Sequence, residues 1–215
     1  MNKFFKFPSV NFLIGKPNSG KTETIKYIIK RFFKTGDIHY VVVICSIAVR
    51  DKYNWLPDSY VYTCFSEEVL HKIMLLNNCL NKKSETPINC ALVFDDIGSY
   101  SDRFTKRCPV MIKLFTEHKN FNMTVFVALQ SPDLIRNGTI LSNVNYAWIY
   151  QLHEEDDFKA VFKHYGQKFK EYKDFKDFLD KNTGEHKIVV NVRDNNTKPF
   201  EIYRHDKPRD FYLDY

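Results

Sequence analysis

Apolar positions along the chain alternate between short continuous runs and longer stretches with apolar residues three or four apart. The runs at Val10–Ile14 (VNFLI), 39–45 (HYVVVIC), Cys90–Asp95 (CALVFD), Met123–Leu129 (MTVFVAL) and 146–150 (YAWIY) have the length and unbroken apolar character of strands covered on both faces. Between them, residues 21–33 carry Ile25, Ile28, Ile29 and Phe32 at helical spacing. Residues 66–80 and 108–118 read as further helices, and 134–141 as a helical turn. A short strand is predicted at 60–64 after Pro57, and the polar stretch 81–87 (NKKSETP) reads as an exposed loop. Strand and helix in turn imply a mostly parallel sheet sandwiched by helices.

The tail changes character. From about 156 to 180 it is rich in Lys, Asp and Phe. Phe158, Val161, Phe162 and Tyr165, then Phe169, Tyr172, Phe175, Phe178 and Leu179, form apolar stripes that read as helix core contacts rather than as a stacking platform. The acids mixed with its lysines make the opposite side a solvated face. Lys187–Val192 and 200–203 read as strands joined by the polar turn 194–197 (DNNT), a terminal hairpin. The expected division is a core at 1–152 and an extension packed on it at 153–215.

With 215 residues, 44% of them hydrophobic, the chain has material for one substantial core. A net charge of +6 suits a polyanionic partner without requiring one. The five cysteines are odd in number and include no CxxC pair, so they read as reduced thiols of an intracellular protein rather than as disulfides or a zinc site. No segment has the length of a membrane span, and a soluble protein is expected.

The chemistry begins at the end of the first strand. Residues 15–22 read GKPNSGKT, matching G-x-x-x-x-G-K-[ST] between a β-run and an amphipathic helix, the setting a phosphate-binding loop requires. Gly15, Lys16, Pro17, Asn18, Ser19 and Gly20, with Lys21, Thr22 and Glu23, are the expected ATP-binding residues. Loop amides and the helix N-terminus form an anion nest. Lys21 should reach the β- and γ-phosphates, and the Thr22 hydroxyl should ligate Mg²⁺. The strand ALVFDDIG, residues 91–98, supplies a metal-side carboxylate in Asp95. Asp96 beside it is placed to polarise an attacking water. Acidic strand ends are common, and it is the preceding loop that makes this pair informative. Gln130, at the exit of the 123–129 run, fits a sensor of the γ-phosphate if that strand lies between the loop strand and the acidic strand, the additional-strand order of one ATPase branch. The alternative is a polar residue that merely ends a buried strand.

GKPNSGKT, VFDD at 93–96, LFTEHKNFNMTVFVALQSP at 114–132 and LSNVNYAWIY at 141–150 together resemble the virion DNA-packaging ATPases of poxviruses, other large DNA viruses and virophages, within the FtsK–HerA superfamily of P-loop NTPases. The resemblance spans about 12–150. It implies a ring-forming motor that hydrolyses ATP to drive double-stranded DNA into a preformed capsid, with capsid or portal-vertex proteins as partners. The setting it implies is the host cytoplasm or viral factory, with possible association with the virion. Relatives tend to carry Gly-Arg-His ahead of the sensor strand, where this chain has Glu117, His118 and Lys119. The arginine that completes a neighbour's site is then sought at Arg103 or Arg107, or at Arg136, each of which reads equally as a solvent-facing residue.

Lys82 and Lys83, or Arg103, Lys106 and Arg107, are candidates for gripping DNA phosphates, and neither group is a recognised nucleic-acid motif. Three other functions compete. A nucleoside or nucleotide kinase would carry an Arg-rich lid, which is not apparent. A cellular DNA-remodelling or helicase-loading ATPase is separable by whether virion structural genes lie nearby. A module binding nucleotide without hydrolysing it would have little need of intact Lys21, Thr22, Asp95 and Asp96.

Overall fold

The computed structural model describes residues 5–96, 98, 104, 108–135, 137–185, 187–193 and 199–204. Its chain order is β1 Val10–Ile14, α1 Lys21–Lys34, β2 Tyr40–Cys45, β3 Val61–Tyr62, α2 Glu67–Lys83, β4 Cys90–Asp95, α3 Pro109–Glu117 and β5 Met123–Leu129. After these come α4 Gly138–Ser142, β6 Tyr146–Ile149, α5 Glu155–Tyr165, α6 Tyr172–Asn182, β7 Lys187–Val192 and β8 Phe200–Arg204. The eight strands form one sheet in the order β3-β2-β4-β5-β1-β6-β7-β8. From β3 to β6 all pairs are parallel, and β7 and β8 extend the sheet as an antiparallel pair.

The fold is the expected α/β sandwich with additional-strand order. β5 pairs with β1 from Val10↔Val125 to Ile14↔Leu129 and with β4 from Cys90↔Met123 to Phe94↔Val127, so it separates the loop strand from the acidic strand. Alternate side chains of each strand divide the core. On one face, Phe12, Phe94, Val125 and Val127 pack with Leu70 and Met74 of α2, Leu114 and Phe115 of α3, and Phe158, Phe175 and Leu179 of the last two helices. On the other, Leu13, Val43, Val93 and Trp148 pack with Ile25, Ile28, Ile29 and Phe32 of α1 and with Phe5 from the N-terminal segment. Strands buried on both faces need apolar residues at every position. Polar exceptions at the sheet centre are Thr124 and Asn11, both fully buried; Asn11 accepts a hydrogen bond from Trp148 Nε1 at 3.2 Å.

Several boundaries moved. The short strand at 60–64 is only Val61–Tyr62. Residues 81–83, read as loop, complete α2. Ser66 caps that helix by accepting from the Val69 amide, Glu67 and Glu68 stand in its first turn, and Lys82 and Lys83 in its last, charges that complement the helix dipole at both ends. The Asn81 side chain donates to Ile88 O at 2.9 Å and accepts from Ile88 N at 2.8 Å, tying the helix end to the approach of β4. The turn at 134–141 divides into a 3₁₀ turn, Pro132–Leu134, and α4. The tail stripes are core contacts: Phe162 and Phe175 rings lie 5.4 Å apart, and Phe169 and Phe178 5.2 Å. The residues 194–197 read as a turn lie outside the described residues. None of the five cysteines forms a disulfide. Among the described residues no helix is long and apolar enough to cross a membrane.

Candidate nucleotide site

The site lies at the C-terminal edge of the parallel strands, where β1, β2, β4 and β5 all deliver their next residues. Leaving β1, Gly15 donates its amide to Leu129 O at 3.0 Å, and a Cβ there would sit 2.7 Å from Tyr150 Cβ and 2.8 Å from Ser19 Oγ. Only glycine lets the loop pass so close to Tyr150. The chain then turns through left-handed conformations at Asn18 (φ 61°) and Gly20 (φ 93°), which glycine adopts without steric cost. Gly20 is the N-cap of α1 and no side chain caps that terminus, so the first-turn amides remain as donors for an anion.

Lys21 Nζ donates to the carbonyls of Gly15 at 2.5 Å and Lys16 at 2.7 Å. Burial lowers its pKa from 10.5 to about 8, and Lys52 acts the same way, against the opposing pull of Asp95 and Asp96. Thr22 Oγ1 donates to Asp95 Oδ2 at 2.7 Å, and Tyr53 OH donates to the same oxygen at 2.7 Å. All three residues are buried. Burial, with Asp95 adjacent, pushes the Tyr53 phenol far above its usual range, so it stays a proton donor. Asp96 has φ 52°, a left-handed conformation that turns the chain off β4, and its carboxylate accepts from Ser46 Oγ.

These residues surround a cavity of about 670 Å³ whose walls include Lys21, Thr22, Lys52, Asp95, Asp96 and Gln130. Gln130 leaves β5 on the exposed side of that cavity. A second hollow of about 540 Å³ lies against the other side of the loop, walled by Lys16, Ser19, Tyr150, Gln151, His153 and Gly184. Glu23 borders both hollows and pairs with Lys26 at 3.0 Å. Pro17 and Asn18 also border both. Lys16 pairs with Glu154 at 2.9 Å.

Arg103, Lys106, Arg107 and Arg136 lie outside the described residues. Lys82 and Lys83 sit in the last turn of α2. His118 is 3% exposed, with Nδ1 3.0 Å from Phe115 O, beneath the start of β5 rather than at its site end. The sequence reading missed Ser46, Lys52 and Tyr53. The available signal was topological: β2 pairs with β4 through Cys45↔Asp95, so whatever follows β2 must leave the sheet beside the acidic pair.

The residues present fit a nucleoside triphosphate with Mg²⁺. Ser19 Oγ is buried with no hydrogen-bond partner among the described residues, in the loop that leads to the uncapped N-terminus of α1. Thr22 and Asp95 supply hard oxygen donors. No group of three or more His, Cys, Asp or Glu capable of holding a metal occurs among the described residues.

The sequence matches no protein-family model and no curated protein. Solved structures match its fold. The genome packaging NTPase B204 from Sulfolobus turreted icosahedral virus 2, in complex with ATP-γ-S, superposes with a TM-score of 0.68 at 13% identity, over 93% of this chain and 98% of that one. The pCW3 conjugation coupling protein TcpA gives 0.63 at 14% identity, over 92% and 60%. The cytoplasmic domain of the Thermomonospora curvata type VII secretion ATPase EccC gives 0.62 at 12% identity, over 94% and 26%. At these identities the likeness is one of fold alone: a central, mostly parallel sheet flanked by helices.

Proposed function

We propose that this protein is an ATP-hydrolysing motor that translocates double-stranded DNA, and that its task is packaging a viral genome into a preformed capsid. The observation that carries the hydrolase reading is the convergence of Lys21, Thr22, Asp95, Asp96 and Gln130 on one cavity, with β5 inserted between β1 and β4. That strand order belongs to ATPases that pair the metal aspartate with an activating carboxylate, and it weighs against a nucleotide kinase. The packaging reading is supported by the sequence resemblance and by superposition over nearly the whole of a viral packaging NTPase, against 60% and 26% of the conjugation and secretion proteins.

In this reading the loop amides and Lys21 hold the β- and γ-phosphates. Thr22 and Asp95 would hold Mg²⁺, which when bound would neutralise charge developing on the phosphoryl oxygens. Asp96 orients and polarises the attacking water. Gln130 lies where it can register the γ-phosphate and pass its loss along β5 to loops that grip DNA. An arginine from a neighbouring subunit, Arg103 or Arg107, completes the site in a ring. Capsid or portal-vertex proteins are the expected partners, in the host cytoplasm or viral factory.

The test is steady-state ATP hydrolysis with and without double-stranded DNA, measured together with mass in solution. The motor reading expects DNA-stimulated hydrolysis by an oligomer that is lost in Lys21→Ala. Phosphate transfer to a nucleoside, or turnover indifferent to DNA in an assembled oligomer, would overturn it.

A further inference from the structure

The segment that follows β2 reaches both acids of the site. Ser46, the first residue beyond β2, donates to Asp96, and Tyr53, at the end of the 3₁₀ helix Ile47–Tyr53, donates to Asp95 Oδ2 at 2.7 Å. Between them Ala48, Val49 and Lys52 form part of the cavity wall. Tyr53 is fully buried, with its ring 6.4 Å from that of Trp55. Its hydroxyl reaches the same carboxylate oxygen to which Thr22 donates.

A hydroxyl has one proton and two lone pairs. With its proton committed to Asp95, Thr22 keeps its lone pairs for a hard cation. That arrangement holds only while the Asp95 carboxylate stays turned toward Thr22, and a carboxylate held by one bond can rotate. The second bond, from Tyr53, fixes the rotation. We propose that Tyr53 is a positioning residue for the metal side of the nucleotide site, acting through Asp95 to set the direction in which Thr22 presents its lone pairs. The inference rests on the nucleotide-site reading above and adds a residue to it. Outer-shell partners of this kind commonly govern metal affinity as strongly as the ligands they orient. A tyrosine kept only for packing would also direct its hydroxyl to a nearby acceptor, so the test must read metal dependence rather than stability.

The experiment uses the full chain and a fluorescent, non-hydrolysable ATP analogue. Its affinity is measured without Mg²⁺ and across a Mg²⁺ titration, for the wild type, Tyr53→Phe and Tyr53→Met, with thermal midpoints recorded in parallel. Affinity without Mg²⁺ should be unchanged in both variants, and the Mg²⁺ concentration needed for half of the tightening should rise about tenfold. Phe keeps the ring and Met does not, so a shift common to both belongs to the hydroxyl. In an Asp95→Ala background, which removes the acceptor, Tyr53→Phe should add nothing further. Superimposable Mg²⁺ titrations would overturn the proposal, as would an equal effect of Tyr53→Phe in the Asp95→Ala background. A wild type that binds no analogue, or whose binding ignores Mg²⁺, would remove the nucleotide-site reading itself and this inference with it.

Discussion

The Thr22 hydroxyl donates to Asp95 Oδ2 at 2.7 Å, across 73 positions of sequence. The two residues do not stand on neighbouring elements. Thr22 opens the helix that follows β1, Asp95 ends β4, and β5 lies between those strands. The bond therefore closes over the tip of β5, the strand from which Gln130 emerges. The loop at 15–22, Asp95 and Gln130 share one short edge, and in the proposed reading a change at the γ-phosphate would have a direct route into the strand between the other two.

Asp96→Asn should separate binding from turnover. The substitution keeps the size and the left-handed turn (φ 52°), since asparagine tolerates that conformation, but removes a base. Loss of general-base assistance costs about 10²–10⁴ in rate, so kcat should fall in that range while ATP affinity stays within about threefold of the wild type, an allowance set by Asp96 lying off the phosphate-binding loop. Gln130→Ala should lower DNA-stimulated turnover more than basal turnover. Equal losses would mean that Gln130 serves only the chemical step. Single-turnover hydrolysis and equilibrium nucleotide binding distinguish these outcomes.

Lys21 makes stability and nucleotide binding depend on pH in a specific window. The unfolded chain holds the amine proton up to about pH 10.5, the folded protein only up to about pH 8. Between those values the unfolded state binds more protons, so stability rises with pH. Thermal midpoints of the wild type should therefore climb between pH 8 and 10.5 relative to those of Lys21→Met, in which that contribution is absent. Nucleotide affinity should move the other way. Phosphate binding needs the ammonium, so affinity should weaken above about pH 8, approaching tenfold per pH unit. Parallel pH curves for wild type and variant would show that the amine is not desolvated in the free protein.

Most of this edge was legible in the sequence because each part is local. The loop residues 15–22 specify a backbone conformation, and VFDD states a strand and its end. What was not legible depends on strand neighbours. Ser46 and Tyr53 carry no motif, and the stretch after β2 is distinguishable from any other loop only once Cys45↔Asp95 pairing is known. Extension of the sheet by β7 and β8 raises the same difficulty. Alternation and a polar turn announce a hairpin, but not that Tyr146 of β6 will pair with Val192. The end of α2 was missed for a different reason, because a polar composition shared by loops and solvated helix ends does not distinguish them until Asn81 is seen bridging to Ile88.

Gly15→Ala tests the close approach behind the loop. The added methyl would stand 2.7 Å from Tyr150 Cβ, an atom fixed where β6 ends, and 2.8 Å from Ser19 Oγ. Rotation of Ser19 can relieve the second contact, but the first cannot be relieved without moving the loop or the strand. Overpacking of this kind costs roughly 1–3 kcal/mol, so the thermal midpoint should drop. ATP affinity should fall with it, because the displaced loop no longer aims its amides together. Retained affinity with only a lower midpoint would mean that β6 yields rather than the loop.

The last prediction concerns residues 153–204, whose helices and strands share a core with the nucleotide site. Phe175 is fully buried, belongs to the same apolar cluster as Phe12, Phe94 and Val127, and contacts the rings of Phe162 and Phe169 at 5.4 and 5.3 Å. Removing it should cost about 3–5 kcal/mol. If the tail is continuous with the core, Phe175→Ala will lower the temperature at which the whole chain unfolds, and bound nucleotide analogue will be released in the same transition. A tail that merely rests on the core would instead melt first, leaving a second transition at the wild-type temperature with nucleotide still bound. The antiparallel pairing of β7 with β6 favours the single transition. β6 is also the strand that pairs with β1 and delivers Tyr150 to the back of the phosphate loop, so loosening the tail withdraws support from the strand against which that loop is packed.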